Sequence, residues 1–116
     1  MIRIYHNPRC RKSREALELI RKSGQPHEIV EYLKQPLSSG ELKELLGKLQ
    51  LEPMQLVRRN EAVWKENYKN RDLSDVEILE AMESHPKLME RPVVVKGNKA
   101  VLGRPPEAIT GLWEDV

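Results

Sequence analysis

The sequence predicts an α/β fold, a four-stranded mixed sheet with flanking helices. Three observations carry this. The chain opens on a β-α-β pattern, its middle is a long run of helical periodicity, and it closes on a β-hairpin followed by a short helix. The elements follow in that order. "MIRIY" alternates weakly and is rich in β-formers, so residues 2–5 read as a strand. Pro8 interrupts it, and a loop leads to Cys10. From Arg11 to Ser23 the composition is helical, with Ala16, Leu17 and Ile20 on one face and Gly24 as a stop. "HEIVEYL" reads as a second strand, parallel to the first because a helix separates them.

"PLSSGELKELLGKLQL" carries the clearest helix signal. Ser38 with Glu41 fits a capping box, and Leu42, Leu45, Leu46 and Leu49 follow at helical spacing. Pro53 breaks it, and "MQLVRRNEAVWKENY" reads as one or two short helical turns. Ser74 with Glu77 opens another helix over Ile78, Leu79 and Met82, ending before Pro86. Val93 to Val95 and Ala100 to Leu102 then form a hairpin through Gly97-Asn98, with Pro92 at the first strand position, where proline is tolerated. A last helix starts near Pro105-Pro106 and runs towards Trp113.

The 116 residues suffice for one core, and no stretch reads as a linker. The expectation is one domain over 1–116, with a helical insertion at about 36–86 between the β-α-β and β-β-α parts. The apolar share is 39%, against a disordered chain. The net charge of +2 argues against wholesale nucleic-acid wrapping while leaving local basic clusters open, and no direct nucleic-acid partner is expected. No apolar run approaches a membrane span, and "MIRIYHNP" lacks the apolar core of a signal peptide. A single cysteine builds no disulfide framework, so a cytoplasmic location is the expectation.

That cysteine heads the first helix in "HNPRCRKSRE", among Arg9, Arg11, Lys12 and Arg14, with only Glu15 opposing them. Cations there run against the helix macrodipole, whose N-terminus is positive. Most free cysteines are small buried fillers. A polar loop, a helix N-terminus and adjacent cations instead favour the thiolate, which is the nucleophilic form. Ser13, three residues on, is placed to bond the sulfur, and Cys-x-x-Ser after a β-strand is the one-thiol version of a Cys-x-x-Cys redox site. One thiol has no resolving partner in its own chain, so a second must come from outside.

Other chemistries fit poorly. A Cys-x5-Arg phosphatase loop needs arginine where Ala16 stands. His6, His27 and His85 are scattered, which gives no metal-ligand spacing, and no Gly-rich phosphate loop is present. Arg58, Arg91 and Arg104 stand out downstream. Arg91 and Arg104 flank the same hairpin, and an arginine's planar fork suits a tetrahedral oxyanion. Arg91-Pro92 is a candidate cis peptide.

"YHNPRCRKSREAL", "LVRRNE", "HPKLMERPVVV" and "LGRPPE", in that order, resemble the glutaredoxin-coupled arsenate reductase family over nearly the whole chain. The resemblance implies a thioredoxin-like sheet with a helical insertion, and a cis Pro92 beside the thiol. It implies attack of Cys10 on arsenate, with His6 linked to thiol activation. Arg58, Arg91 and Arg104 would bind the oxyanion, Arg58 rather than Arg59 by motif position alone. Glutathione would be the co-substrate, glutaredoxin the partner reducing the mixed disulfide, arsenic resistance the setting, and no cofactor would be bound. Arg11-Lys12 depart from the small residues usual after the family's cysteine. Two alternatives stay open. One is a glutathione-dependent reductase of another substrate. The other is an Spx-type regulator that binds RNA polymerase without catalysis, although Ser13 removes the disulfide switch such regulators use.

Overall fold

A computed structural model describes residues 1–114 of the chain. They fall into two compact units. The first joins residues 1–35 to those from Arg91 onward, and the second is Pro36–Glu90.

The first unit is built on a four-stranded sheet in the order β2-β1-β3-β4. Strand β1 (Ile2–Tyr5) is one of the two inner strands, pairing with both β2 and β3, and it places Ile2 and Ile4 in the core and Arg3 outside. Helix α1 (Arg11–Ser23) follows and stops at Gly24, which takes the left-handed conformation at φ 74° that glycine adopts without a Cβ clash. Strand β2 (His27–Val30) runs parallel to β1, with Ile2 opposite His27 and Tyr5 opposite Val30. It is shorter than the sequence suggested: the chain turns after Val30, and Tyr32 buries its ring outside the strand.

Strands β3 (Val93–Lys96) and β4 (Lys99–Leu102) form the expected hairpin, with β3 antiparallel to β1. Gly97 supplies a positive φ of 62° at the first turn position. The last segment, Pro106–Leu112, is a 3-10 helix rather than the α-helix its composition suggested. It has β-branched Ile109 and Thr110 followed by Gly111, all poor α-formers, and Thr110 Oγ1 donates to the Glu107 carbonyl at 2.9 Å. Ala16, Leu17 and Ile20 of α1 meet Ile2, Ile4, Val94 and Ile109 in one core. This is the thioredoxin-like mixed sheet that the resemblance implied.

The second unit is helical. Helices α2 (Ser39–Leu49) and α4 (Asp75–Ser84) both start with the capping boxes read from the sequence. Ser38 Oγ accepts from Glu41 N–H at 3.1 Å, and Ser74 Oγ from Glu77 N–H at 3.2 Å. Leu42, Leu45 and Leu46 of α2 are buried, as are Ile78, Leu79, Ala81 and Met82 of α4. The backbone N–H of Ser39 donates to Glu83 at 2.8 Å, tying the start of α2 to the last turn of α4. Between them lie a 3-10 turn (Pro53–Leu56) and the short α3 (Ala62–Asn67), whose Trp64 is buried with its ring centroid 5.4 Å from that of Tyr68. The helical character runs to a 3-10 turn over Pro86–Leu88, slightly beyond the expected boundary.

Candidate active site

Cys10 is half-buried and occupies the N-cap position of α1, with extended backbone at φ −92° and ψ 122°. It makes no side-chain capping bond, so the sulfur does not spend itself on the helix end. The loop before it is pinned by Asn7, a residue the sequence reading did not single out. The Asn7 carbonyl accepts from Cys10 N–H and its Oδ1 from Arg9 N–H, each at 3.0 Å. An Asn-Pro pair ahead of a helix was the available signal.

Ser13 does not meet the sulfur as expected. Its hydroxyl accepts from Asn7 N–H at 3.0 Å and is hydrogen-bonded to His6 Nδ1 at 2.5 Å. Both side chains are buried, Ser13 completely. The cause is register: Ser13 lies on the buried face of α1 with Ala16, Leu17 and Ile20, looking into the protein and not along the helix axis. Burial pushes the His6 imidazole below its ordinary pKa; the charge of Glu31 opposes this, and Arg21 and Arg14 reinforce it. The pair therefore holds the Cys10 loop from beneath with a neutral histidine.

Arg9, Arg11, Lys12 and Arg14 are all exposed, and the first turn of α1 holds no acid. Arg11 pairs with Glu15 at 2.9 Å, and Arg14 Nη1 donates to the Pro8 carbonyl at 3.0 Å.

Sheet register gathers the rest. Tyr5 lies opposite Val93, and Val93 opposite Leu102, so the loop to Cys10, Arg91-Pro92 and Gly103-Arg104 all leave or enter the same end of the sheet. Arg104 Nε donates to the Arg91 carbonyl at 3.0 Å. Arg91 Nε is buried with no hydrogen-bond partner among the described residues. A buried donor left unmade costs about 1–3 kcal/mol, so such an atom is a reason to look for an acceptor. Arg91-Pro92 is cis, as the resemblance implied, and Arg104-Pro105, which the sequence reading left unremarked, is cis as well.

Arg58 belongs to the helical unit. Its Nη1 pairs with Glu61 at 2.7 Å and its Nε with Glu90 at 3.0 Å, both largely shielded. Val57 and Met89 form an isolated antiparallel bridge beside this cluster. Glu61, three residues after Arg58, was legible as a partner; Glu90 was not. Arg59 is exposed. Among the described residues no group of three His, Cys, Asp or Glu side chains is placed to hold a metal ion.

Residues 5–112 match the ArsC family. The chain belongs to that family. A relative from Escherichia coli K12, the uncharacterised protein YfgD, is 44% identical over 110 residues, covering 93% of this chain and 92% of its own. The arsenate reductase of Haemophilus influenzae is 42% identical over 108 residues, covering 91% and 93%. A solved arsenate reductase structure from Vibrio cholerae superposes with a TM-score of 0.92 at 42% identity, covering 96% of each chain.

Proposed function

We propose that this ArsC-family protein is a cytoplasmic arsenate reductase that draws its second thiol from glutathione and glutaredoxin. The observation that carries the reading is Arg91 Nε, a buried guanidinium donor without an acceptor among the described residues, at the end of the sheet to which the Cys10 loop also runs. The arsenate reductase names of relatives at 42% identity support the same substrate. Among the described residues, no helix is long and apolar enough to cross a membrane.

The chemistry follows from counting electrons. Reduction of arsenic(V) to arsenic(III) takes two, which two thiolates supply as they become one disulfide. The Cys10 thiolate attacks arsenic and displaces one oxygen, which leaves as water after protonation. Arg91 and Arg104 offset the charge on the remaining oxygens. A glutathione thiolate then bonds to Cys10 Sγ, the sulfur–arsenic bonding pair stays with arsenic, and arsenite leaves. Glutaredoxin removes the glutathione from Cys10 by a further thiol exchange. His6 and Ser13 act on the thiol through the loop they hold.

The test is arsenate-dependent glutathione oxidation in the presence of glutaredoxin. The expected result is turnover that disappears in Cys10→Ser; turnover that persists there overturns the nucleophile. Tight, stoichiometric RNA polymerase binding with no arsenate turnover overturns the enzyme reading in favour of a regulator.

A further inference from the structure

Arg58 has more negative charge around it than it can offset. Its Nη1 pairs with Glu61 at 2.7 Å and its Nε with Glu90 at 3.0 Å, and all three side chains are half-buried. One guanidinium against two carboxylates leaves the cluster one unit negative, so it repels an oxyanion rather than drawing one in. The backbone sets the pairing. Arg58 N–H donates to the Leu88 carbonyl at 2.7 Å and Glu90 N–H to the Leu56 carbonyl at 2.8 Å, on either side of the Val57–Met89 bridge. In that register residues 58 and 90 are diagonal neighbours across two antiparallel segments, a separation of about 7–8 Å that long side chains span. Glu90 also stands directly before Arg91 in the chain. Arg91 Nε is buried and has no acceptor among the described residues, although a carboxylate is attached one residue away. That carboxylate is turned to Arg58, and among the described residues no other cation pairs with it.

We propose that Arg58 is a positioning residue that sequesters Glu90, and that this keeps the Arg91 guanidinium open to an external anion. This deepens the proposed function, and it rests on that reading's use of Arg91 as an anion-binding group. Glu61 holds the Arg58 side chain from its other edge, so the guanidinium stays aimed at Glu90. Without Arg58 the Glu90 carboxylate is left half-buried and unpaired, which is a costly state. The cation next to it in the chain is Arg91, whose Nε lacks an acceptor. An internal carboxylate on that donor shuts out the oxygens of a substrate. Arg58 thus serves anion binding without touching the anion.

The experiment compares the full chain with Arg58→Gln, Glu90→Gln and the double variant, with two readouts on each. One is KM and kcat for arsenate. The other is the ratio of Cys10 alkylation rates by anionic iodoacetate and neutral iodoacetamide, which needs no turnover and cancels any change in the thiolate fraction. In Arg58→Gln, KM should rise roughly fivefold or more with kcat little changed, and the ratio should fall by a similar factor. Glu90→Gln alone should stay within about twofold of wild type on both readouts, and the double variant should return to that range because the competing carboxylate is gone. A double variant as impaired as Arg58→Gln overturns the proposal and makes Arg58 an anion ligand. Glu90→Gln as impaired as Arg58→Gln overturns it in favour of a purely structural ion pair. Should Arg58→Gln fail to fold, the double variant decides: restored readouts support the proposal, and impaired ones overturn it. A wild type that turns over no arsenate, with an alkylation ratio that falls and recovers as stated, supports this inference and removes only arsenate as the substrate.

Discussion

Gly103 and Pro92 approach so closely that a Cβ on residue 103 would lie 2.7 Å from Pro92 Cγ. The same pair is joined by a hydrogen bond from Gly103 N–H to the Pro92 carbonyl at 2.8 Å. A proline ring cannot swing aside as a long flexible side chain can. Gly103→Ala should therefore destabilise the protein by about 1–3 kcal/mol, the usual cost of overpacking. Among the described residues nothing lies within 4 Å of the position a Cβ would take at Gly111, so Gly111→Ala should stay within about 0.5 kcal/mol. Urea unfolding of both variants measures the difference, and equal midpoints would show that the contact is slack.

Ser13→Ala removes the shared partner of buried His6 and half-buried Asn7. Asn7 N–H and His6 Nδ1 would both lose their bonds to the hydroxyl. The expected loss is about 1–3 kcal/mol of stability. Because the loop carries Cys10, its rate of alkylation should change as well. A variant with wild-type stability and wild-type alkylation would show that the pair does not hold the loop.

His6 gives the fold a pH dependence with a definite sign. Its pKa is lowered from 6.5 by burial, so the unfolded chain binds the proton more readily than the folded one. Stability from this group is complete above the ordinary value and is lost as pH falls below it towards the folded pKa. The thermal midpoint should drop between about pH 7.5 and pH 5.5. His6→Asn should flatten that slope, and an identical slope in the variant would assign the dependence elsewhere.

Arg91→Lys keeps the charge but loses the planar fork and the buried Nε donor. The expected effect on arsenate reduction is a fall in kcat/KM of roughly tenfold or more, the equivalent of one charged hydrogen bond of about 1.5–3 kcal/mol. Stability should hold or rise, since an unpaired buried donor is removed. Unchanged kinetics would show that bidentate holding by this residue plays no part.

The sequence was most legible where structure is set locally. The ends of α1, the two capping boxes and the Gly97 turn each depend on residues within about four positions of one another, and each stood where it was read. The Ser13–His6 bond spans seven residues and a change from strand to helix, which no periodicity reports. Glu90 on Arg58, Arg104 on Arg91 and Gly103 against Pro92 are juxtapositions made by chain folding. The early end of β2 and the 3-10 form of the last segment reflect competition between weak local preferences, where tertiary packing decides. The candidate site follows the same division. Cys10, Arg91 and Arg104 were singled out as candidates by residue type and position, whereas the contacts that hold them in place were not legible.

The sheet's two outermost strands, β2 and β4, are each four residues long, and each carries an exposed charge, Glu28 on one and Lys99 on the other. Glu28 is further tied to Arg3 of the neighbouring strand. Such margins offer a foreign chain few free amides to zip onto and a charge to bury if it tries. Growth of the sheet by addition of another polypeptide is thereby disfavoured at both of its sides.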